Sequence, residues 1–415
     1  MACTACHQIQ PDNLGQVEIF SGGFVIGEER RIFGPHRDPA PGPMQNHVNY
    51  TPTYADHVTS ALLCATCHTL LHEVSYEEGE TDIFPEQTPY LEWKNSIFSD
   101  EEAGNEETAK TCQDCHQPTF DQEGVEIETR IARSPPDGDF LIDERKPFGQ
   151  HLFVGANSVI PQMIKQYRDI LNPQASDEAF DRISVLAKEQ VSQSVTIEIK
   201  DTMQDAQQLT FTVDVRTYSG HKFPTGFPAR RAWLWVEILD NQDQILFRSG
   251  AFNAVGRIVD QNDQLLDHEK FAGDVEPHHQ IITQDTQVQI YQAVMQNHLG
   301  RPTHALTKAK GWLKDNRILP QGYSREHPTA HYTLPVAVDQ DEDFIGGQDL
   351  VHYQIPLQSQ QQAHKIVVRM VYQTLGAKFM RLLFQTDVPE VAAFRHMYEN
   401  SDVSPLIIRE MTHTL

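Results

Sequence analysis

The chain has 415 residues, of which 22% are charged and 39% hydrophobic, a balance that is typical of globular proteins and excludes a disordered chain. Its 33 basic and 58 acidic side chains give a formal charge of −25. Such a charge repels nucleic acid and anionic membrane surfaces and favours cationic partners, although the simpler explanation is that it keeps the protein soluble. Because no run approaches the roughly 18 consecutive apolar residues of a transmembrane helix, we expect a soluble chain without a membrane span.

The first 150 residues are rich in Pro, Gly and His and have few periodic runs. Residues 31–54 contain FGPHRDPAPGPMQNHVNYTPTY, which predicts irregular loops rather than packed helices. Residues 55–68 are predicted to form a short helix. The acidic run at 100–107 (DEEAGNEE) is typical of a solvated surface loop.

A helical pattern begins after Asn157 and Ser158, either of which can cap a helix that runs to Leu171 and is stopped by Asn172 and Pro173. Ser176 can cap a second helix. Beyond residue 190 the apolar residues alternate with a period of two, which predicts antiparallel strands and a β-sandwich. The clearest of these segments are residues 195–199, 209–217, 232–239 and 366–372.

All six cysteines lie in three Cys-x-x-Cys-His motifs, which are Cys3–Cys6–His7, Cys64–Cys67–His68 and Cys112–Cys115–His116. Two cysteines at this spacing reach the two vinyl groups of one porphyrin as thioethers, and the adjacent histidine becomes the proximal iron ligand. A zinc site normally pairs two such motifs, so an odd number fits zinc poorly. The sequence therefore predicts three covalently attached haems c rather than zinc sites or redox dithiols.

The sequence gives little support for catalytic chemistry other than that of haem. No cysteine is left to act as a free nucleophile, and there is no Gly-rich phosphate loop, Gly-x-Ser-x-Gly elbow or HExxH motif. We therefore predict no catalytic residues in this chain.

Each six-coordinate haem needs a distal ligand, and 17 of the 20 histidines lie outside the motifs. A lone histidine can also be a hydrogen-bonded structural residue. His57 precedes the second motif on a predicted helix and is expected to point towards a neighbouring haem. The predicted distal ligands are His47, His57, His151, His221 and His36. His72 is less favoured, and His278 and His279 beside Glu276 are expected to have a structural role rather than to bind a metal.

Residues 220–231 form a loop in which His221 can bind iron. Lys222, Arg230 and Arg231 concentrate positive charge in an acidic protein, and we predict that they meet haem propionates, because arginine pairs with carboxylates in bidentate fashion. The alternative is that both arginines pair with acidic side chains of the protein itself.

The sequence resembles bacterial multihaem c-type cytochromes that join a haem-bearing N-terminal region to a C-terminal β-domain, a group distantly related to the hydroxylamine oxidoreductase and multihaem nitrite reductase cytochromes. The matching segments are FGPHRDP (33–39), CATCHTL (64–70), PYLEWKNSIF (89–98), CQDCHQP (112–118), FGQHLFVGAN (148–157), SGHKFPTGFPARRAWL (219–234), EPHHQI (276–281), VQIYQAVM (288–295) and WLKDNRILPQGY (312–323).

The resemblance implies low-potential haems, mostly with two histidine ligands, and respiratory electron transfer outside the cytoplasm. No segment matches the active-site motifs of hydroxylamine oxidation or nitrite reduction. Members of the group usually begin with a secretion signal and further haem motifs, whereas Met1 lies two residues before Cys3. We therefore expect a periplasmic or surface location, and a longer gene product that supplies the leader.

The predicted fold class is α+β, with a multihaem domain over residues 1–155, a helical connector over 156–192 and a β-sandwich over 193–415. The predicted function is electron transfer with other redox proteins or cytochromes, and a like subunit is a further candidate partner. One alternative is a multihaem oxidoreductase that acts on a small nitrogen or sulfur compound. Another is a haem-bearing docking or assembly subunit of a respiratory complex or surface structure.

Overall fold

Residues 3–75, 79, 81–121, 123–130 and 143–415 are described in a computed structural model of the protein. The chain divides into a first unit, Met1–Leu71 with Phe98–Phe153, and a second unit, His72–Ile97 with Val154–Leu415. These boundaries differ from the predicted ones in two respects. Residues 72–97 belong to the second unit although they fall inside the predicted domain 1–155. The predicted connector 156–192 also belongs to the second unit.

The described residues contain helices and sheets, in agreement with the predicted α+β class. The α-helices are α1 Cys3–His7, α2 Pro41–Val48, α3 Ala61–Ala65, α4 Pro89–Lys94, α5 Cys112–His116, α6 Val159–Gln166, α7 Arg168–Leu171, α8 Asp177–Gln193, α9 Ala377–Leu383 and α10 Pro389–Glu399. Short 3₁₀ helices cover Val17–Gly22, Asp56–Thr59, Asp267–Glu269, Leu306–Lys308 and Ala330–Tyr332.

Most strands lie in the second unit. The strands are β1 Arg31–Gly34, β2 Thr51–Tyr54, β3 Leu70–Ser75, β4 Thr81–Gln87, β5 Val195–Gln204, β6 Gln208–Thr217, β7 Arg231–Leu239, β8 Ile245–Ser249, β9 Ala251–Phe252, β10 Ile258–Val259, β11 Ile281–Ile282, β12 Ile290–Gln296, β13 Pro302–Thr303, β14 Gly311–Asp315, β15 Gln348–Pro356, β16 Lys365–Gln373 and β17 Leu406–Thr414.

In the first unit, the prediction of irregular loops over residues 31–54 is wrong. Strand β1 pairs in parallel with β2, and α2 lies between them in sequence. Pro41 and Pro43 fall at the start of α2, where proline is tolerated because the first N–H groups of a helix have no intrahelical acceptor. None of the residues of α2 is buried, so this helix adds little to the core.

The helix predicted over residues 55–68 is interrupted. A 3₁₀ helix covers Asp56–Thr59, and α3 starts afresh behind Ser60, whose side chain accepts a hydrogen bond from the N–H of Leu62. The acidic run at 100–107 forms turns without helix or strand and is largely exposed, as predicted.

The helices before the sheets follow the predicted pattern closely. Asn157 accepts a hydrogen bond from the N–H of Ile160 at 3.0 Å at the start of α6. The predicted single helix breaks at Tyr167 into α6 and α7, and Asn172 ends α7 in the left-handed conformation with φ 47°. Ser176 caps α8 by accepting the N–H of Ala179, as predicted.

Two larger sheets make up most of the second unit. One has the strand order β11-β15-β6-β5, and the other has the order β13-β12-β7-β16-β17, to which β14 and β8 add at the sides. Neighbouring strands are antiparallel except β11 and β15, which are parallel. All four segments predicted from alternation form strands, namely β5, β6, β7 and β16.

The core of the second unit contains residues from both larger sheets, including Val213 of β6 and Leu234 of β7. Strand β7 is buried on both faces, because Trp233 belongs to a separate cluster on the opposite side. That the two sheets form a sandwich remains a prediction. Among the described residues, none of the helices combines the length and the apolar character that crossing a bilayer requires.

Candidate haem-binding site

The three Cys-x-x-Cys-His motifs each adopt a helical turn in the first unit. The first and third coincide with α1 and α5. The second begins in α3 and continues as a turn in which the N–H of His68 bonds to the carbonyl of Cys64 at 2.8 Å. Residues three apart share one face of a helix, so both cysteines of a motif can reach the same porphyrin.

All six cysteines are free of disulfide bonds, and Cys3, Cys67 and Cys115 are exposed. A thioether-linked haem requires two unbridged cysteines next to a histidine on one local turn, and each motif supplies this set. The residues present therefore fit three c-type haems.

The second and third motifs are tied together by hydrogen bonds. The side chain of Gln113, inside the third motif, donates to the carbonyls of Val58 and Ser60, which directly precede α3. Thr111 and Asp114 form a capping box at the start of α5, in which the N–H of Thr111 donates to Asp114 at 2.7 Å. Hydrogen bonds therefore hold the start of the third motif and connect it to the segment before the second.

The sulfur atoms of all three motifs lie near one another. A hydrogen bond with the Cys112 thiol lowers the pKa of Cys64 and raises that of Cys112. Burial, followed by the charges of Cys67 and Cys64, raises the pKa of Cys6. These mutual effects require the cysteines of different motifs to lie close together. The three attachment points converge within the first unit.

The histidines of the three motifs, which are the predicted proximal ligands, differ in their surroundings. His7 contacts the carbonyl of Phe33 through Nδ1 at 2.6 Å, an arrangement that fixes the ring and leaves Nε2 for a metal. His68 is exposed to solvent. Partial desolvation by the surrounding chain and, to a smaller extent, the charge of His116 nevertheless lower the pKa of its imidazole. A neutral imidazole is the form that binds iron.

His151 lies beside His7. The centroids of the two imidazole rings are 5.9 Å apart, and the ring planes are inclined by 35°. The Nδ1 atom of His151 contacts the carbonyl of Gly149 at 3.1 Å, which again leaves Nε2 for a metal. The structure thus brings together a predicted proximal and a predicted distal ligand that are far apart in sequence.

His57, His47 and His36 also belong to the first unit. His57 lies beside the first motif, since its Nε2 contacts the carbonyl of Ile9 at 2.8 Å. His47 is exposed on α2. Burial and then the charge of Arg145 lower the pKa of His36, which favours the neutral, metal-binding form of its imidazole.

His72 and His221 lie in the second unit and have hydrogen-bond partners within that unit. His72 contacts the carbonyl of Leu306 through Nε2 at 3.1 Å, and its Nδ1 lies 3.5 Å from Glu86. The Nδ1 atom of His221 lies 2.7 Å from the hydroxyl of Ser219.

The charges of the loop at 220–231 have partners inside the second unit. Lys222 is fully buried and donates to Asp315 at 2.6 Å. Arg231 forms a buried ion pair with Glu269. The contact of Arg231 agrees with the alternative that the arginines pair with acidic side chains, whereas Arg230 donates to the carbonyl of Thr225 at 2.7 Å. Contact of Lys222, Arg230 and Arg231 with haem propionates remains a prediction.

Sequence reasoning missed the buried ionic network around Lys222. Arg317 joins Asp315 at 2.7 Å to Glu92 at 3.2 Å, so two cations face two carboxylates. Burial opposes ionisation of Asp315, but Arg317 and Lys222 outweigh it and lower the pKa of that carboxyl. The sequence signals were the matching segments at 89–98, 219–234 and 312–323, which contain the four residues of this network.

His278, Asp341 and Asp349 bring potential metal-ligand atoms within 4.8 Å of one another. However, Nε2 of His278 contacts Asp341 at 2.8 Å, and Nδ1 accepts from the amides of Gln289 and Asn316 at 2.9 and 3.0 Å. Both ring nitrogens are therefore engaged, which agrees with the structural role predicted for this histidine.

No protein-family model matches the chain, and no curated protein matches it. Among solved structures, it is similar to a penta-haem cytochrome c552 from Thermochromatium tepidum, with a TM-score of 0.53 and 13% sequence identity. The similar region covers 100% of this chain and 76% of the other. At this identity the similarity concerns the fold alone, and this chain has a fold like that of a multihaem cytochrome.

Proposed function

We propose that this chain is an electron-transfer protein that carries three c-type haems on its Cys-x-x-Cys-His motifs. The observation that carries the proposal is the convergence of the three motifs, each on a helical turn and each with unbridged cysteines, within one unit. The fold similarity to a penta-haem cytochrome supports it further. When attached, haem c supplies the reversible one-electron chemistry of iron.

The residues of the chain provide attachment, orientation and electrostatic tuning. Each cysteine pair fixes a macrocycle against a helical turn, and the following histidine provides the proximal nitrogen. The hydrogen bond between His7 and Phe33 holds one such ring in place. A net charge of −25 stabilises oxidised iron and lowers the reduction potentials.

We infer that His7 and His151 would together hold the iron of the first haem. Iron–nitrogen bonds of about 2 Å on either side of one iron place the centres of two imidazoles about 6 Å apart. The ring centroids of His7 and His151 lie 5.9 Å apart, which fits this requirement. His57, His47, His36 and His221 remain the proposed distal ligands of the other haems.

The proposed partners are other redox proteins or cytochromes outside the cytoplasm, where haem c is attached after export. A like subunit is a further proposed partner. The acidic surface favours partners with a positive contact surface.

The proposal is tested by maturing the chain in a periplasm that contains a haem-attachment system. Denaturing mass spectrometry should show three haem additions, because thioether bonds survive denaturation. A pyridine haemochrome assay and a redox titration should then give three haems per chain and reversible one-electron steps. Zinc without haem in such material would overturn the proposal.

A further inference from the structure

The attachment points of the second and third haems meet inside the first unit. The thiol of Cys64, in the second motif, is hydrogen-bonded to that of Cys112, in the third. Haem c is bound through these sulfur atoms, so the two haems are attached at neighbouring points. Because electron tunnelling between haems slows steeply with distance, a residue that fixes this contact also sets how fast the two haems exchange electrons.

Gln113 lies between the two cysteines of the third motif and reaches the chain just before the second. Its side-chain amide donates to the carbonyl of Val58 at 3.2 Å and to that of Ser60 at 2.9 Å. Ser60 in turn caps α3, the helix that contains Cys64, by accepting the N–H of Leu62. Two hydrogen bonds therefore join the helical turn of the third motif to the start of the helix in which the second motif begins.

The amide of Gln113 acts only as a donor. Within the described part of the chain, its Oε1 atom is buried and accepts no hydrogen bond. Turning the amide over would set this oxygen against the carbonyl oxygens of Val58 and Ser60, which cannot donate. The orientation of the side chain is thus fixed, and its two donated hydrogen bonds persist despite the cost of burying an unsatisfied acceptor.

We propose that Gln113 is a positioning residue for electron transfer, which holds the attachment site of the third haem against that of the second. The capping box of Thr111 and Asp114 stiffens the turn that carries Gln113, so a displacement of this side chain moves Cys112 with it. The inference rests on the proposed three-haem function and adds the residue that sets the separation of two of the haems. Gln113 acts through the position of the two macrocycles and is a ligand of neither iron.

The test uses the mature protein with its haems attached and circular dichroism in the Soret band. Two haems held close together give paired bands of opposite sign, whose size depends on the distance and the angle between the macrocycles. The variant Cys112→Ala with Cys115→Ala lacks the third haem and therefore defines the part of the paired signal that this haem contributes. Gln113→Met removes both donors at similar side-chain length. We expect it to lose most of that part while denaturing mass spectrometry still shows three haems.

Three further variants separate the donated hydrogen bonds from packing. Gln113→Lys keeps donors and has no acceptor, so it should retain the paired signal of the parent. Gln113→Glu keeps the length of the side chain but presents oxygen to both carbonyls, so it should lose the signal as Gln113→Met does. The matched control is Gln8→Met, which removes a hydrogen bond of 3.0 Å from an amide to the carbonyl of Thr4 that joins no two motifs. It should leave the contribution of the third haem unchanged.

The rate at which an electron redistributes between the second and third haems after flash reduction should follow the paired signal across these variants. An unchanged signal in a three-haem Gln113→Met protein, or loss of the signal in Gln113→Lys, would overturn the proposal, and so would a parent without paired bands. Absence of haem from the parent would instead contradict the proposed function. Mass spectrometry therefore distinguishes the failure of the one from the failure of the other.

Discussion

At the scale of single residues, the His7–His151 pair offers a direct test of coordination. Replacing His151 with Met should exchange one imidazole ligand for a thioether and raise the potential of one haem. The change should be on the order of 0.1 V, well inside the range of about 0.8 V that axial ligands span. Redox titration followed by optical spectroscopy measures it, with attachment of all three haems unchanged.

The matched control for this substitution is His331→Met, at an exposed histidine of the second unit. It should reproduce the titration curve of the parent. An unchanged curve for His151→Met as well would show that another residue completes the coordination of the first haem.

Glu276 predicts a pH dependence of the stability of the second unit. Burial alone would raise the pKa of this carboxyl, but hydrogen bonds from His268 and His279 lower it from the ordinary 4.5 to about 2. Because the pKa is depressed by folding, the stabilisation is complete above pH 4.5 and is lost as the pH falls towards 2. Its size is about 3 kcal/mol.

The variant Glu276→Gln should therefore be less stable than the parent at pH 6 and equal to it near pH 2. Tryptophan fluorescence during denaturation measures this, since Trp93, Trp233, Trp235 and Trp312 all lie in the second unit. Glu342→Gln, at an exposed carboxylate, should show no such dependence. A difference between Glu276→Gln and the parent that stays constant from pH 6 to pH 2 would contradict the role given to Glu276.

The sequence identifies site residues that lie close together in the chain. It does not identify contacts between residues that are far apart in the chain. The motif cysteines and proximal histidines follow from spacing within five residues. In contrast, the carbonyl that holds His7 comes from Phe33, and the ring facing it comes from His151. No periodicity connects these positions, so spacing alone does not assign a distal histidine to a particular motif.

At the scale of secondary-structure elements, the capping box on α5 predicts an effect on the third motif. Thr111→Ala removes the hydroxyl that accepts the N–H of Asp114, which should cost about 1 kcal/mol. Thr111→Ser keeps the hydroxyl and should behave as the parent does. Thermal unfolding followed by circular dichroism in the Soret band reports on the haem-bearing unit. Equal stabilities of the Ala and Ser variants would show that the cap contributes nothing.

The strands were predictable because burial on alternate residues leaves a direct pattern in the sequence, as Leu234 and Val236 of β7 show. The structure of residues 31–54 was not predictable in this way. Prolines are typical of loops but also of the first turn of a helix, and Pro41 and Pro43 begin α2. Ser60 lies inside the helix predicted over residues 55–68, but it is a capping residue and marks the start of α3.

At the scale of the whole molecule, the division into units depends on contacts that the sequence does not reveal. Glu92 belongs to the second unit because it bonds to Lys222 and Arg317, which lie more than a hundred residues further along the chain. The predicted boundary at 155 assumed that each domain is one continuous stretch. The insertion of residues 72–97 into the second unit does not follow from local composition.

The net charge of −25 predicts how electron exchange with small partners depends on salt. A cationic reagent such as hexaammineruthenium is attracted to the acidic protein, and an anionic one such as ferricyanide is repelled. The field extends about 30 Å at 0.01 M salt and about 10 Å at 0.1 M. Over this interval, the rate with the cation should fall on the order of tenfold, while the rate with the anion should rise.

Stopped-flow measurements on the protein matured with its haems would give both rates, and an uncharged redox reagent provides the control because its rate should not change with salt. If the electrostatic field of the whole molecule controls the encounter, the rates with the cationic and the anionic reagent must change in opposite directions as salt is added. If instead both rates fell with salt, electron exchange would take place at local patches of opposite sign, and the acidity of the chain would serve solubility alone.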